Sequence, residues 1–296
     1  MVWTARLAAA AAAVALAGCN AANEPASNAD ANANATTGSG NAAAAQDAGA
    51  ALSLVRLDCG TATITDFAKS FSDRPLYEPG PREIVDSCYV IRHGDDVLLW
   101  DTGFPAAWKG QSNDMGLGTA TLSATIAEQL GQLQLTPADV DVVGISHMHD
   151  DHVGQAAEFA NARLVIGRAD FAQSAKDKDP FAAWRGQGKP VTLASGDVDV
   201  FGDGSVTAIH LPGHTPDHLA LLVKLKSGPV LLSGDMYHAT EARAKRGVPP
   251  FNTDRAQTLA SMDKFEALAK RVGAKVIIQH EPADVAKLPA FPQAAN

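Results

Sequence analysis

Apolar residues recur along the chain at two different spacings, and each spacing predicts a different kind of element. From residue 52 onward, short apolar runs of strand length lie between Gly, Pro, Asn and Asp residues that favour turns. Longer segments carry apolar residues three or four positions apart, as amphipathic helices do. We predict strands at residues 52–57, 88–92, 97–100, 140–146, 164–166, 198–201, 206–211, 219–225, 230–233 and 276–278, and helices at 119–133 and from an Asn252-Thr253 cap to Gly273. Strands interspersed with helices in two halves indicate an α/β (α+β) chain whose two sheets pack together with helices outside.

The first 50 residues follow neither spacing. Residues 1–19 carry one positive charge, Arg6, before an apolar stretch that is too short to cross a membrane. Residues 20–50 contain 13 Ala and 6 Asn in 31 positions, and no Val, Leu, Ile, Phe, Tyr or Trp. Such a composition cannot bury enough apolar surface to fold, so we expect a disordered tether at residues 20–50 and one folded domain at residues 51–296.

The apolar stretch ends in a segment with a recognisable pattern. Leu16-Ala17-Gly18-Cys19 resembles the lipobox of bacterial lipoproteins, in which the cysteine becomes lipidated. The resemblance implies a signal peptide at residues 1–19, export to the periplasm or outer membrane, and a lipid anchor at Cys19. That anchor would be the only contact of the protein with a membrane.

The net charge of the domain narrows the classes of molecule that it can bind. The net charge of −9 becomes −7 for residues 51–296 once Arg6, Glu24, Asp30 and Asp47 are set aside. An acidic domain argues against nucleic acid as a partner, because affinity for nucleic acid comes mostly from Lys and Arg that neutralise phosphates.

A domain of this size needs no disulfide to hold a core. Two interpretations of Cys59 and Cys88 therefore stay open: a disulfide in an oxidising compartment, or two small buried apolar side chains.

The strongest chemical signal is a cluster of metal-binding residue types directly after a predicted strand. Residues 147–152 read His-Met-His-Asp-Asp-His and place three of the nine histidines within six positions. His147 and His149 are two residues apart, so an extended backbone can direct both imidazoles to one side, while a following helical turn can direct Asp151 and His152 to a second point. Imidazole and carboxylate are ligands that suit zinc. The segment therefore favours a pair of metal positions over a polar surface loop.

Three further candidate ligands stand alone at predicted strand ends. His214 and Asp235 follow the strands at 206–211 and 230–233, and His280 follows the last strand. Strand-to-loop junctions are where a rigid scaffold presents functional groups. These residues are the candidates to complete a two-metal site, whereas His218, four residues after His214, is expected to order its loop.

The ligand pattern and two shorter segments carry a family resemblance. His147-x-His149-x-Asp151-His152, followed by His214, Asp235 and His280, resembles the metallo-β-lactamase fold hydrolases from about residue 52 to 290. Asp101-Thr102-Gly103 is similar to the Asp-Thr-Gly turn of that family, and residues 213–216 to its Gly-His-Thr-Pro segment. The resemblance implies an αββα sandwich of two mixed sheets with a binuclear site at one edge of the sheets. By this resemblance, the first metal would be bound by His147, His149 and His214. The second metal would be bound by Asp151, His152 and His280, and Asp235 would bridge the two metals.

The predicted site implies hydrolytic chemistry. Two divalent ions (zinc, or alternatively iron, cobalt or manganese) can share a hydroxide that stays nucleophilic at neutral pH. Asp151 would carry a proton toward the leaving group, and Asp101 would orient a ligand histidine. We therefore expect a metal-dependent hydrolase. A lipoprotein that binds zinc without turnover is the non-enzymatic alternative, and it leaves Asp151 without a role.

Within the family, the segments around the motif are most similar to the N-acyl-homoserine lactone lactonases, which are quorum-quenching enzymes that open a five-membered lactone. The similarity lies in residues 90–93, 233–238, 251–255 and 279–282. Those lactonases commonly place a Tyr three residues after the bridging Asp, where its hydroxyl can reach the substrate carbonyl. Here Tyr237 is two residues after Asp235 and His238 is three, so both are candidate catalytic donors to an oxyanion.

The substrate and the oligomeric state stay open at this point. The resemblance implies a small lactone or ester, and an exported organophosphate or aryl-ester hydrolase would use the same seven ligands. The loop that contains Phe104, Trp108, Met115 and Leu117 predicts an apolar lid over the substrate. A dimer is one alternative for the assembly.

Overall fold

Two β-sheets lie at the centre of the fold. The computed structural model describes residues 51–175, 179–186 and 188–296, so the predicted signal peptide and tether lie outside the described residues. The strands are β1 (Leu52–Ile64), β2 (Arg82–His93), β3 (Asp96–Trp100), β4 (Ser112–Asp114), β5 (Gly118–Thr121), β6 (Val142–Gly144), β7 (Arg163–Gly167), β8 (Val191–Ala194), β9 (Val198–Asp199), β10 (Val206–His210), β11 (Leu219–Leu225), β12 (Gly228–Leu232) and β13 (Lys275–Ile277). The first sheet has the order β4-β5-β1-β2-β3-β6-β7-β8, and the second has the order β13-β12-β11-β10-β9. Both sheets are mixed, since β3, β6, β7 and β8 pair in parallel, as do β12 and β13.

Helices cover the outer faces of the two sheets. The helices are α1 (Phe67–Phe71), α2 (Ile126–Gln132), α3 (Asp150–Val153), α4 (Arg168–Gln173), α5 (Ala182–Arg185), α6 (Thr240–Lys245), α7 (Arg255–Val272) and α8 (Pro282–Val285). None of them combines the length and hydropathy that a membrane-spanning helix requires.

The side chains of the strands alternate between two apolar layers. On β3, Leu98 and Trp100 face the second sheet, whereas Val97 and Leu99 pack with the residues of α2. On the second sheet, neighbouring residues of β11 divide in the same way between the inner layer and Phe265 of α7. Strands that are buried on both faces explain the continuous apolar runs of the sequence. The layering confirms the predicted αββα sandwich of mixed sheets.

The parallel strands bring the ends of distant segments to one edge. Asp101 directly follows β3, and the histidine motif follows β6, its parallel neighbour. Asp235 and His280 follow β12 and β13, which are parallel neighbours in the other sheet. Loops at the carboxyl ends of such strands form the usual ligand site of open sheets. The fold therefore presents all these residues at the same edge of the sandwich.

Two predicted helix boundaries are wrong. Residues 118–121 form β5, because Thr119 and Thr121 pair with β1, and α2 begins only at Ile126, after its N-cap Thr125, which forms a capping box with Glu128. The long helix α7 is capped by Asp254, whose side chain accepts a hydrogen bond from Gln257 N, rather than by the residues just before it. Its end at Gly273, with φ 64°, is as predicted.

The two cysteines of the domain are joined. Cys59, at a bulge in β1, forms a disulfide with Cys88 on β2, and their Cα atoms are 5.8 Å apart. A Cβ atom added at Gly103 would lie 2.6 Å from Cβ of Cys59, so the disulfide packs directly against the turn that begins with Asp101. Of the two open interpretations, the disulfide is the one that the structure shows.

We expect the double substitution Cys59→Ala/Cys88→Ala to lower the free energy of unfolding by roughly 3–4 kcal/mol, because the disulfide restricts a loop of about 29 residues in the unfolded chain. Urea unfolding followed by circular dichroism measures this difference. A reductant should bring the wild-type midpoint down to that of the variant. A wild-type midpoint that does not respond to reductant would contradict the prediction.

Candidate metal centre

Three histidines from two loops form the first group of donor atoms. His147 follows β6, and His149 is the residue that precedes α3, while His214 follows β10. Nε2 of His147 lies 2.9 Å from Nδ1 of His149, and Nε2 of His214 lies 3.2 Å and 3.1 Å from those two atoms. All three ring nitrogens therefore point at one small volume.

A second group lies beside the first, and Asp235 faces both. The second group contains His152, His280 and Asp151, whose Oδ1 is 3.8 Å from Nε2 of His152. Oδ1 of Asp235 lies 3.3 Å from Nε2 of His152 and 2.8 Å from Nε2 of His280. Oδ2 of Asp235 lies 3.5 Å from Nε2 of His147 and 3.3 Å from Nε2 of His214. One carboxylate thus divides its two oxygens between the two groups, as the predicted bridge requires.

The donor set fits two divalent cations. Within each group the donor atoms lie within 4.8 Å of one another. Two nitrogens that bind one tetrahedral zinc at about 2.0–2.1 Å lie roughly 3.3 Å apart, which is close to the spacing in the first group. Among the described residues, Nε2 of His152 is buried without a hydrogen-bond partner. A buried imidazole nitrogen without a partner is unfavourable unless a ligand meets it, so the two groups would each hold one ion.

Partners on the far side of each ring set the tautomers of three of the histidines. Nδ1 of His152 donates to Oδ2 of Asp101, and Nδ1 of His280 donates to the backbone oxygen of Val85. Nδ1 of His214 donates to Oδ1 of Asn252. Each hydrogen bond from Nδ1 turns Nε2 of the same ring into the cluster. These rings are therefore already oriented as imidazole ligands of a metal.

Asp101 holds the two loops of the site together. Its Oδ1 accepts a hydrogen bond from Ser146 N at 2.7 Å, and its Oδ2 also accepts from Nε2 of Gln279 at 2.9 Å. Gln279 donates in addition to the backbone oxygen of Ser87. The predicted role of Asp101, which was to orient a ligand histidine, is confirmed by its contact with His152.

Burial and mutual charge control the protonation of the cluster. Burial, reinforced by the neighbouring histidine charges, holds the pKa of His147 well below its usual value, and the same causes lower the pKa of His149 to about 4. Burial opposes protonation of His280 as well, but the carboxylate of Asp235 outweighs it and raises that pKa to about 9. The histidine charges around Asp235 hold the pKa of its carboxyl well below its usual range, against the effect of burial. At neutral pH His147 and His149 are thus neutral and the carboxylate of Asp235 is an anion, which suits cation binding.

The structure separates the two candidate oxyanion donors. The Tyr237 hydroxyl donates to Oε1 of Glu266 at 3.0 Å, and the ring packs on Phe265 in the layer beneath α7. The structure therefore does not bring the Tyr237 hydroxyl to the donor cluster, because the short turn after β12 directs this side chain into the core. His238 does reach the site, where its Nε2 lies 3.0 Å from Oδ2 of Asp235. Its function as a donor to substrate stays a prediction.

The predicted lid is also wrong. Phe104 is only 2% exposed and stacks on Trp108, while Met115 is half-buried against the core. Pairing of β4 with β5 makes this segment an extension of the first sheet rather than an exposed loop. Of the four residues, only Leu117 is exposed.

Two supporting residues were missed by the sequence analysis. Asn252 was interpreted as a helix cap but holds His214, and Gln279 holds Asp101. A third, His218, has the expected structural role: its Nε2 accepts from the backbone N of Asp235 at 2.9 Å. Each of the two missed residues lies in a segment that resembles the lactonases, and this was the one signal that marked them.

Comparisons with known proteins agree with this geometry. The metallo-β-lactamase superfamily model matches residues 83–280. N-acyl homoserine lactonase AttM of Rhizobium johnstonii is 33% identical over 68% of this chain and 83% of its own length. The same-named protein of Azorhizobium caulinodans is 34% identical over 52% of this chain, and the match spans only 63% of that relative. A solved N-acyl homoserine lactone hydrolase with the product N-hexanoyl-L-homoserine at its metal centre superposes with a TM-score of 0.68, at 21% identity over 82% of this chain and 98% of its own. The chain therefore belongs to the metallo-β-lactamase superfamily.

Proposed function

We propose that the protein is a binuclear-metal hydrolase that opens the ring of N-acyl-homoserine lactones. The observation that carries the substrate class is the similarity to relatives named N-acyl homoserine lactonase, which extends over 83% of one of them at 33% identity. The arrangement of six donors around Asp235 supports the reaction type. Zinc is the metal that we propose, because imidazole and carboxylate in small tetrahedral groups are its usual ligands.

Different residues of the chain have different roles in ester hydrolysis. Divalent ions in the two groups supply Lewis acidity and an activated water at neutral pH. Asp235 offsets their charge in a buried position, and the ligand histidines are held by hydrogen bonds before substrate arrives. The half-buried carboxylate of Asp151 accepts the proton of the attacking water and returns it to the leaving ring oxygen. The product is the ring-opened N-acyl-homoserine.

A substrate panel tests this proposal. Residues 51–296, produced without the predicted signal peptide and tether, are assayed by proton release with N-acyl-homoserine lactones, paraoxon, phenyl acetate and a cephalosporin. We expect the lactones to be the best substrates and about two metal ions per chain by elemental analysis. Turnover of paraoxon or phenyl acetate without lactone turnover would favour the organophosphate or aryl-ester alternative. Bound metal without turnover of any substrate would favour a storage protein.

We also propose that the protein is exported and anchored through Cys19. The disulfide between Cys59 and Cys88 supports export, because such bonds persist in oxidising compartments and are rare in the cytosol. Fractionation of bacteria that express the full chain tests the anchor. The wild-type protein should sediment with membranes, and Cys19→Ser should release it into the soluble fraction. A wild-type protein found in the cytosol would contradict the proposal.

A further inference from the structure

An exposed aromatic ring stands at the edge of the donor cluster. Phe251 is 41% exposed, and Leu117 is the other large apolar side chain that is exposed in the described part of the chain. The ring centroid of Phe251 lies 6.0 Å from that of His149, 5.8 Å from that of His214 and 6.1 Å from that of His238. A ring exposed at this place can contact a molecule bound at the donor cluster, and covering the ring would remove apolar surface from water.

The position of Phe251 is set by its own loop and by a second aromatic ring. Thr253 N donates to the backbone oxygen of His214, and Asp254 N donates to that of Gly213, so the loop is bound to the loop of a ligand. Phe71, at the end of α1, meets the ring of Phe251 edge-on at 5.8 Å and lies 4.5 Å from the ring of His238. Phe71 is itself buried, so it supports the exposed ring of Phe251 from the core side, and we name this pair of rings the aromatic wall.

A cleft beside the cluster has a different character. It has a volume of about 420 Å³ and is lined by His238 and His280, by charged side chains that include Arg82, Glu83 and Glu281, and by Ile84, Ala239 and Pro282. Arg82 is paired with Glu241 in the same cleft at 2.7 Å. An alkyl chain placed there would strip water from these charged groups without replacing their hydrogen bonds. The cleft suits a polar group, and the aromatic wall suits an apolar one.

We propose that the aromatic wall is the specificity determinant for the acyl arm, with Phe251 contacting its first methylene groups. The inference rests on the proposed function, since it names which part of the lactone lies on which side of the metal centre. The acyl chain lies on the exposed ring of Phe251, which Phe71 supports from the core, and the polar ring faces the cleft of Arg82. Phe251 therefore selects substrates with a longer apolar acyl chain.

The substitution Phe251→Ala tests the inference across a series of chain lengths from butanoyl to decanoyl. We expect KM for the decanoyl lactone to rise about tenfold, which corresponds to the burial of roughly two methylene groups, while KM for the butanoyl lactone changes little. The value of kcat and the metal content should stay near those of the wild type. Phe251→Leu should recover most of the preference for long chains. Leu117→Ala, on the turn between β4 and β5, is the matched control and should leave the series unchanged.

A binding measurement keeps this inference separate from the proposed function. Calorimetry with ring-opened N-acyl-homoserines on the metal-loaded protein reports chain-length preference without requiring turnover. Tighter binding of the decanoyl form to the wild type, lost in Phe251→Ala, would support the wall even if no lactone were opened. The inference would be overturned if the wild type showed no preference for the longer acyl chain, or if Phe251→Ala showed the same preference as the wild type. Neither result would contradict lactone turnover.

Discussion

Asp235→Asn is expected to abolish most hydrolytic activity and to weaken both metal positions at once. The two carboxylate oxygens of Asp235 face different donor groups, at 2.8 Å from Nε2 of His280 on one side and 3.3 Å from Nε2 of His214 on the other. An amide offers one oxygen and an NH₂ group that cannot bind a cation. It also removes the one buried negative charge that both groups face. Losing one partner of a buried charged cluster typically costs roughly 3–5 kcal/mol, so metal affinity should fall on the order of 10²–10³-fold.

Both the metal content and the rate of lactone hydrolysis are measured for Asp235→Asn. Elemental analysis after gentle purification should find less than one ion per chain, and kcat/KM should fall at least as steeply as affinity. Asp284→Asn is the matched control, because Asp284 is equally buried but instead accepts a hydrogen bond from Ile278 N. That variant should unfold at lower urea concentration yet keep both ions. A variant of Asp235 with unchanged metal content and rate would remove this residue from the site.

Asp151→Asn should have the second largest effect, and the effect should fall on kcat rather than on binding. Asp151 belongs to the second donor group only, and its side chain is half-buried at the rim. General acid–base groups typically contribute about 10²–10⁴-fold to rate, so kcat should drop by that amount while KM stays within a few-fold. Metal content should fall at one position at most.

Asp150→Asn is the matched control for this prediction, because Asp150 is the adjacent residue on α3 and is exposed. Its kcat should equal that of the wild type. Steady-state kinetics on one lactone, with metal content measured on the same samples, compare the two variants with the wild type. Equal losses in Asp150→Asn and Asp151→Asn, or a loss confined to KM, would show that Asp151 does not carry the proton.

Much of the metal centre could be predicted because its donors are chemically rare and locally spaced. Three histidines within residues 147–152, directly after an apolar run, needed only local geometry to be interpreted. His214, Asp235 and His280 were each found after an apolar run, and the strands before them, β10, β12 and β13, run in the same direction within one sheet, so that their ends lie at one edge. The resemblance to a known family then grouped the seven donors, and in the structure they lie in two adjacent groups with Asp235 near both.

The direction in which an individual side chain points could not be predicted in this way. Tyr237 and His238 are neighbours on the chain, yet one hydroxyl turns into the core toward Glu266 while the other ring reaches Asp235. The predicted lid failed for a related reason, since Phe104 is buried once β5 pairs with β1. In each case the outcome depends on packing with residues far away in sequence, which spacing along the chain does not encode.

The sequence by itself determined the two-layer core and the candidate donors at its strand ends, because hydrophobic periodicity and ligand chemistry are local properties, and the resemblance to a known family implied that these donors meet at one edge. Only the tertiary structure decided which partners hold each imidazole, that Cys59 and Cys88 are bonded, and that Phe251 lies beside the histidines. Asn252 shows the reason most directly. A cap and a histidine partner look alike in sequence, and only the docking of α7 against the loop of His214 distinguishes them.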